Sequence, residues 1–376
     1  AGSMNLTKTC VYYYVKTKQD LVYQCYVASC DMWLEKVQQA NAMDANGLEK
    51  IVAMVRAHFE QYTDTLNGKA PHYAMLAEVS SLEPQHADDI LRRWREIFHQ
   101  CSAMVEQGMA EGVIEKYNPA IVSSAIFSII QWFPVWLNRS YAAHPEPVIE
   151  AVLDVLVNGL ASQPHQFADI DFPELNNLSL DNFDREMQNC IKREAFYRVG
   201  SIYFNQKGYK GTSLDEIAAS LDVTKGAFYY HIKNKEELLY QCFNRTLDVE
   251  KMLLAKAGST EGSGLEKLEL ALRYLFNVQF SEDGPLIRYR LLPSLDEEHR
   301  KIILKATSAN SEQLGAYIRQ GFSDKTLREI DAGVAQHILA GAVEASPDLV
   351  NWVSDIDSKV LSSAYFNLFI NGLAVR

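Results

Sequence analysis

The sequence predicts an all-α protein made of two related helical units in tandem. Three observations predict it. Core-type residues recur at helical spacing, as in Ile51, Val55, His58, Phe59 and Tyr62 or Val148, Val152, Val155 and Leu156, while alternating β-type runs are nearly absent. Residues 7–26 align without a gap on 224–243, identical at 10 of 20 positions at an offset of 217. Asn-Gly-Leu-Ala at 158–161 returns at 371–374, an offset of 213, and closes each half after an apolar helical pattern. A repeat of that period is the length of a domain.

Composition narrows the function. With 376 residues, 48% hydrophobic and 22% charged, the chain is an ordinary globular one, not a disordered or collagen-like one. Its six cysteines form no CxxC pair and no secretory leader is evident. Neither a zinc site nor a disulfide framework is expected, and a cytoplasmic location is the default. The apolar run 120–137 is interrupted by Ser123, Ser124, Gln131 and Pro134 and lacks basic flanks, so it reads as a buried helix rather than a membrane span. No GxGxxG, Walker A, HExxH or GxSxG occurs, and the nine histidines show no ligand spacing. No enzyme activity, cofactor or metal is expected.

Residues 1–4, Ala-Gly-Ser-Met, read as a cloning remnant and a start methionine. Unit one spans 5–162: its repeat segment, 5–26, is followed by a helical body, 27–162. Residues 163–182, with Pro164, Pro173 and no sustained apolar period, read as a linker. Unit two then opens with four short helices over 183–243. The first carries Phe196, Val199, Gly200, Tyr203 and Phe204 on one face and stops at Gly208. Ser213 with Glu216 reads as a capping box for the second, whose buried stripe is Leu214, Ile217, Ala218 and Leu221. After a turn at Asp222 and Val223, Thr224 caps the third helix, and Asn234 with Glu237 reads as a second box starting the fourth. A helical body, 244–376, with a Gly-rich break at 258–264, completes the unit.

Two short helices across a tight turn make a helix-turn-helix candidate. The third helix buries Ala227, Phe228 and Ile232, which leaves Thr224, Lys225, Gly226, Tyr229 and, at the edge, His231 on the far side. Lysine suits phosphate or guanine, tyrosine a phosphate or a thymine methyl, and glycine gives clearance for a duplex. Spacing alone fits a solvated polar face equally well.

The register of Phe204, Gly208, Tyr209, Thr212, Ser213, Ile217, Ala218, Leu221, Val223, Thr224, Lys225, Gly226, Phe228, Tyr229, Tyr230, His231, Lys235 and Leu238 resembles the DNA-binding region of the tetracycline-repressor (TetR) family. The resemblance spans some 45 residues, 196–240. It implies that the third helix enters the major groove, that Tyr229, Tyr230 and His231 meet backbone or base edges, and that Lys235, Thr212 and Ser213 meet phosphates. It also implies that each body binds a small effector and supplies helices for dimerisation.

Unit one departs from that pattern. It keeps Thr7, Lys8, Tyr12 and Lys18 as counterparts of Thr224, Lys225, Tyr229 and Lys235, yet the two preceding helices are absent from the sequence. Two explanations stay open at this point: a gene that encodes half a motif, or a start codon placed too late. Charge fits a local DNA face. The whole chain carries −12, but residues 185–237 hold nine basic and seven acidic residues, a net of +2, leaving −14 elsewhere.

Phe127, Trp132, Phe133 and Trp136 concentrate in ten residues of unit one and are candidates for lining an effector pocket, although core or interface packing explains such a cluster too. The matching stretch of unit two, 340–352, is poorer in aromatics and contains Glu344 and Asp348, so two pockets would differ. The expected protein is a ligand-responsive transcriptional regulator, most simply a repressor. It would bind double-stranded operator DNA and a small effector, as a pseudo-dimer within one chain or as a homodimer, and no membrane. The competing reading is a ligand-binding or protein-interaction module that has lost DNA binding.

Overall fold

A computed structural model describes residues 17–72, 74, 76, 79–172, 185–353 and 357–376. Unit one folds as α1 (Lys18–Asn41), α2 (Gly47–Leu66), a 3-10 turn (Val79–Ser81), α3 (Pro84–Ala110), α4 (Pro119–Trp136), α5 (Arg139–Ala143) and α6 (Pro145–Asn158). Unit two folds as α7 (Arg185–Gly211), α8 (Leu214–Ser220), α9 (Lys225–His231), α10 (Lys235–Gly258) and α11 (Gly264–Phe280), followed by a 3-10 turn (Tyr289–Ser294), α12 (Glu297–Ser323), α13 (Ala332–Ala345), a further 3-10 turn (Ser346–Asn351) and α14 (Ser358–Asn371). The described residues contain no strand, only two isolated bridges. The all-α expectation holds.

The repeat is visible element by element. Helices α1 and α10 are both 24 residues, α3 and α12 both 27, and α6 and α14 both 14. Capping boxes start α2 (Asn46 with Glu49) and α11 (Ser263 with Glu266), each satisfying amides that a helix start otherwise leaves orphaned. The next residue is glycine in both because another helix crosses there. A Cβ on Gly47 would lie 2.3 Å from the backbone nitrogen of Gly108 in α3, and one on Gly264 would lie 2.1 Å from that of Gly321 in α12. A carboxylate locks each crossing: Gly47 N–H donates to Glu111 at 2.8 Å, and Gly264 N–H to Asp324 at 2.7 Å.

Helices α4 and α6 of unit one pack against α13 and α14 of unit two, and the chain ends of the units exchange backbone hydrogen bonds. Leu160 N–H donates to Phe369 at 2.9 Å while Leu373 N–H donates to Leu156 at 3.0 Å. Likewise Ala161 donates to Ile370 and Ala374 to Val157, at 2.8 and 2.9 Å, and Glu115 donates to Leu373 and Arg328 to Leu160, both at 2.9 Å. Every one of these pairs maps onto its fellow at the 213 offset, the reciprocal pattern of a two-fold contact. Gly159 and Gly372 meet at its centre. Both have positive φ, 67° and 84°, and a Cβ on either would come within 2.6 Å of the other's backbone nitrogen.

One core runs through both bodies, from Val37, Met54 and Phe59 through Ile126 and Phe133 to Leu272, Tyr365 and Phe369. A second core belongs to the start of unit two and joins Phe196, Phe204, Ile217, Phe228, Ile232 and Leu238 to Leu291 and Leu292. The apolar run 120–137 forms α4, long and apolar enough to cross a membrane by composition, and it lies largely buried inside the protein. Residues 163–172 of the expected linker are packed rather than free. His165 Nε2 lies 2.7 Å from Glu269, Ala168 N–H donates to Glu269, and Arg273 donates to the Ala168 carbonyl. Periodicity could not reveal this, because the strap is held by polar contacts on α11.

Gly372→Ala should therefore cost more than Gly68→Ala. Both glycines have positive φ, but a Cβ at Gly68 meets nothing within 4 Å. Positive φ alone costs roughly 1–2 kcal/mol, and overpacking adds about 1–3. Thermal melts should show the larger fall for Gly372→Ala; equal shifts would contradict the crossing.

Candidate nucleic-acid interface and ligand cavity

Local chemistry sets the pose of α9. Gly208, with φ 70°, breaks the regular path of α7. Thr224 caps α9 by accepting from Ala227 N–H at 3.2 Å, and Phe228 anchors it, fully buried against Phe196 at 5.0 Å between ring centroids. The outer face then presents Thr224, Lys225, Gly226, Tyr229 and Tyr230. Tyr230 is 80% exposed and Tyr229 44%, and Gly226 faces open space. Asp215 on α8 gathers this face: Lys225 Nζ donates to it at 2.6 Å and the Tyr229 hydroxyl at 3.4 Å. An exposed pair of this kind adds little to stability and is screened by salt. His231 is only partly exposed, and its burial, with Arg193 and Lys192 near, lowers its pKa.

Several expected contacts are rearranged. The Ser213–Glu216 capping box does not form: Ser213 makes no side-chain cap bond, and Glu216 instead takes Lys207 Nζ at 2.7 Å. Thr212 is buried and its hydroxyl donates to the Gly208 carbonyl at 2.7 Å, which leaves no free side chain to meet a phosphate. Its carbonyl accepts from Lys235 Nζ at 3.1 Å, and that ammonium also lies 4.8 Å from the Tyr209 ring. Asn234 caps α10 through Glu237 N–H, but Glu237 accepts from Lys233 N–H, so the second box is half made. In unit one, Lys18 is exposed at the start of α1, where Thr17 and Asp20 form a capping box the sequence reading missed. Thr7, Lys8 and Tyr12 lie outside the described residues.

The ligand candidates divide. Phe127, Trp132 and Phe133 line a cavity of about 640 Å³, together with Trp33, Tyr62, Trp94 and Phe98. Trp136 is not among the lining residues; it stacks on His337 of α13 at 4.8 Å, an interface contact. The cavity also reaches into unit two. Glu344, Asp348 and Trp352, expected to belong to a separate pocket, line this one with Arg288 and Arg290. Trp352 stacks on Phe98 at 3.6 Å, and Arg288 is held by Glu344 at 3.0 Å and by both oxygens of Asp348 at 3.0 and 3.1 Å. Two polar atoms on the cavity wall, Ser124 Oγ and Trp132 Nε1, are buried without a hydrogen-bond partner.

Glu236, Asp296 and His299 also come together, with His299 Nδ1 3.0 Å from Asp296 and 4.0 Å from Glu236. Backbone bonds from Asp296 to Glu236 and from His299 to Asp296, and the Tyr240 ring stacked on His299 at 4.0 Å, account for the cluster as a joint between α10 and α12.

A capped recognition helix with an exposed lysine and tyrosines, beside duplicated helical bodies, defines a helix-turn-helix DNA-binding protein of tandem build. Comparison with known sequences agrees. Residues 200–242 match the family "Bacterial regulatory proteins, tetR family", and residues 44–160 match "Tetracyclin repressor-like, C-terminal domain". The chain belongs to the TetR family. The body match precedes the DNA-binding match, the order that two consecutive units give. The Tn10 TetC protein of Escherichia coli is 28% identical over 176 residues, 45% of this chain and 81% of that protein. The IcaR negative regulator of the ica biofilm operon of Staphylococcus epidermidis is 45% identical over 49 residues, 12% of this chain and 26% of its own length. Among solved structures, PfmR of Thermus thermophilus is 22% identical with a TM-score of 0.39, covering 47% of this chain and 97% of that one.

His58 lies on the cavity wall, buried against Trp33, and burial, with the Lys36 ammonium near, pushes its imidazole down to about 3. An unfolded chain titrates its histidine near ~6.5. The stability of the neutral folded form is thus full above that value and is lost as pH falls toward 3. His58→Leu, which copies the residue at the repeat position Leu275, should flatten the fall in melting temperature between pH 6.5 and 4. An unchanged acid slope would contradict the assignment.

Proposed function

We propose that this protein is a ligand-responsive DNA-binding repressor of the cytoplasm, in which two units of one chain take the place of two subunits. The observation that carries the proposal is the reciprocal hydrogen bonding at Gly159 and Gly372, the pattern a two-fold contact between subunits would make. The α9 face supports operator binding. Lys225 and Tyr229 are set for base edges or phosphate, Tyr230 and Ser213 for backbone, and Lys235, at the start of α10, for a phosphate beside helix amides. Thr224 contributes through its cap, His231 from the edge of the face, and Thr212 through its main chain. Lys18 holds the equivalent place on α1.

Selection of duplexes from a random pool with the full chain tests this reading. Lys235→Gln, which keeps a donor for the Thr212 carbonyl, should weaken every duplex alike and reduce the salt slope by about 1. Lys225→Ala should relax preference at particular base pairs, by about 1–3 kcal/mol at each. Failure to enrich any duplex, or affinities unchanged in both variants, would overturn the DNA assignment and favour an interaction module that no longer reads DNA.

A further inference from the structure

The cavity wall is chemically lopsided. Its vacant polar groups can both donate: indole Nε1 of Trp132 can only donate, and the Ser124 hydroxyl, which can donate or accept, has no partner. Arg290 adds a third. Its neighbour Arg288 consumes both nearby carboxylates, Glu344 and Asp348. Arg290 keeps a single hydrogen bond, to the Asn205 carbonyl at 2.8 Å, and no carboxylate among the described residues pairs with it. The other charges on the wall, Asp88 and Arg95, are opposite in sign and exposed. A partly buried guanidinium with no directly bonded carboxylate keeps donors that an anion would satisfy. Burial and the adjacent Arg288 lower the Arg290 pKa, and Asp348 and Glu344, both bonded to Arg288, offset this only in part.

The aromatic lining is not repeated. At the offsets of 217 and 213, Trp33 becomes Glu250, Phe127 becomes Ala340, Trp132 becomes Ala345 and Phe133 becomes Ser346. Asn205, meanwhile, ties the Arg290 segment to the DNA-binding domain. It lies on α7, its amide donates to Leu286 at 2.9 Å, its side-chain oxygen accepts from Arg288 N–H at 3.0 Å, and its carbonyl accepts from Arg290.

We propose that the cavity takes one flat aromatic anion per chain, its rings among the unit-one tryptophans and its charge on Arg290 of unit two, and that Asn205 carries occupancy to the helix-turn-helix. The proposal rests on the regulator reading for its second half only. An anion draws the guanidinium from the Asn205 carbonyl, which changes the tie between α7 and the segment 286–290. A ligand shifts a conformational equilibrium only through such a differential contact.

The probe is 8-anilinonaphthalene-1-sulfonate, compared with N-phenyl-1-naphthylamine, which has the same rings without the charge. Fluorescence titrations of the full chain should give tighter binding of the sulfonate, weakened at least tenfold by Arg290→Met and less by Arg290→Lys, with the neutral dye unchanged. Circular dichroism melts of both variants check that the fold is kept. Equal loss of both dyes in a folded variant, or no preference for the sulfonate, would overturn the anion site. Asn205→Ala keeps the main-chain carbonyl that Arg290 uses but removes both side-chain bonds that tie the segment 286–288 to α7, so it should bind the sulfonate within twofold of wild type yet lose its effect on affinity for a selected duplex. A sulfonate that binds through Arg290 and leaves duplex affinity unchanged in wild type would overturn the coupling. Absence of duplex binding without any dye would instead count against the regulator reading, and the dye arm would still judge the site.

Discussion

Everything in this protein hangs on two glycines that meet where two halves of one chain cross. At Gly159 and Gly372 the backbones approach so closely that no side chain fits, and the positive φ of each turns the chain out of its helix just there. The turn lets each end reach across and donate amides to the other unit's last helix. Such exchange satisfies buried backbone groups that would otherwise cost free energy. It also fixes how α4, α6, α13 and α14 lie together, and hence where the cavity and the recognition helix stand.

Fusion permits asymmetry that two copies of one chain cannot have. Unit one supplies the aromatic wall; unit two supplies the charged end of the same cavity and the complete helix-turn-helix. Arg288 and Arg290 both hydrogen-bond directly to Asn205 of α7 and line the space beside Trp132. The charged end of the cavity is therefore tied, within unit two, to the helix that leads into the helix-turn-helix segment.

Much of the fold was legible in the sequence because it rests on local rules. The 3.6-residue period, the caps at Thr224 and Asn234, and the buried Phe228 are decided within a few residues of each position. What escaped depends on partners distant in sequence. Glu216 leaves Ser213 because Lys207, on the preceding helix, offers a charge. Thr212 turns inward to a carbonyl freed by the break at Gly208. The strap at 163–172 looks like a linker until Glu269 and Arg273, a hundred residues on, are seen to hold it. Arg290 gave no signal, since its meaning lies in Arg288 having taken the carboxylates. The exchange itself had one trace, the repeated Asn-Gly-Leu-Ala, whose glycine marks the crossing.

The central claim, that the two-fold contact is made within the chain, is tested most directly by mass in solution. Light scattering across a wide range of protein concentration should give 42.5 kDa throughout where two units of one chain take the place of two subunits. A mass that rises to twice this value with concentration, and falls back when Gly372 is replaced, would show that the contact forms between chains and would contradict the account.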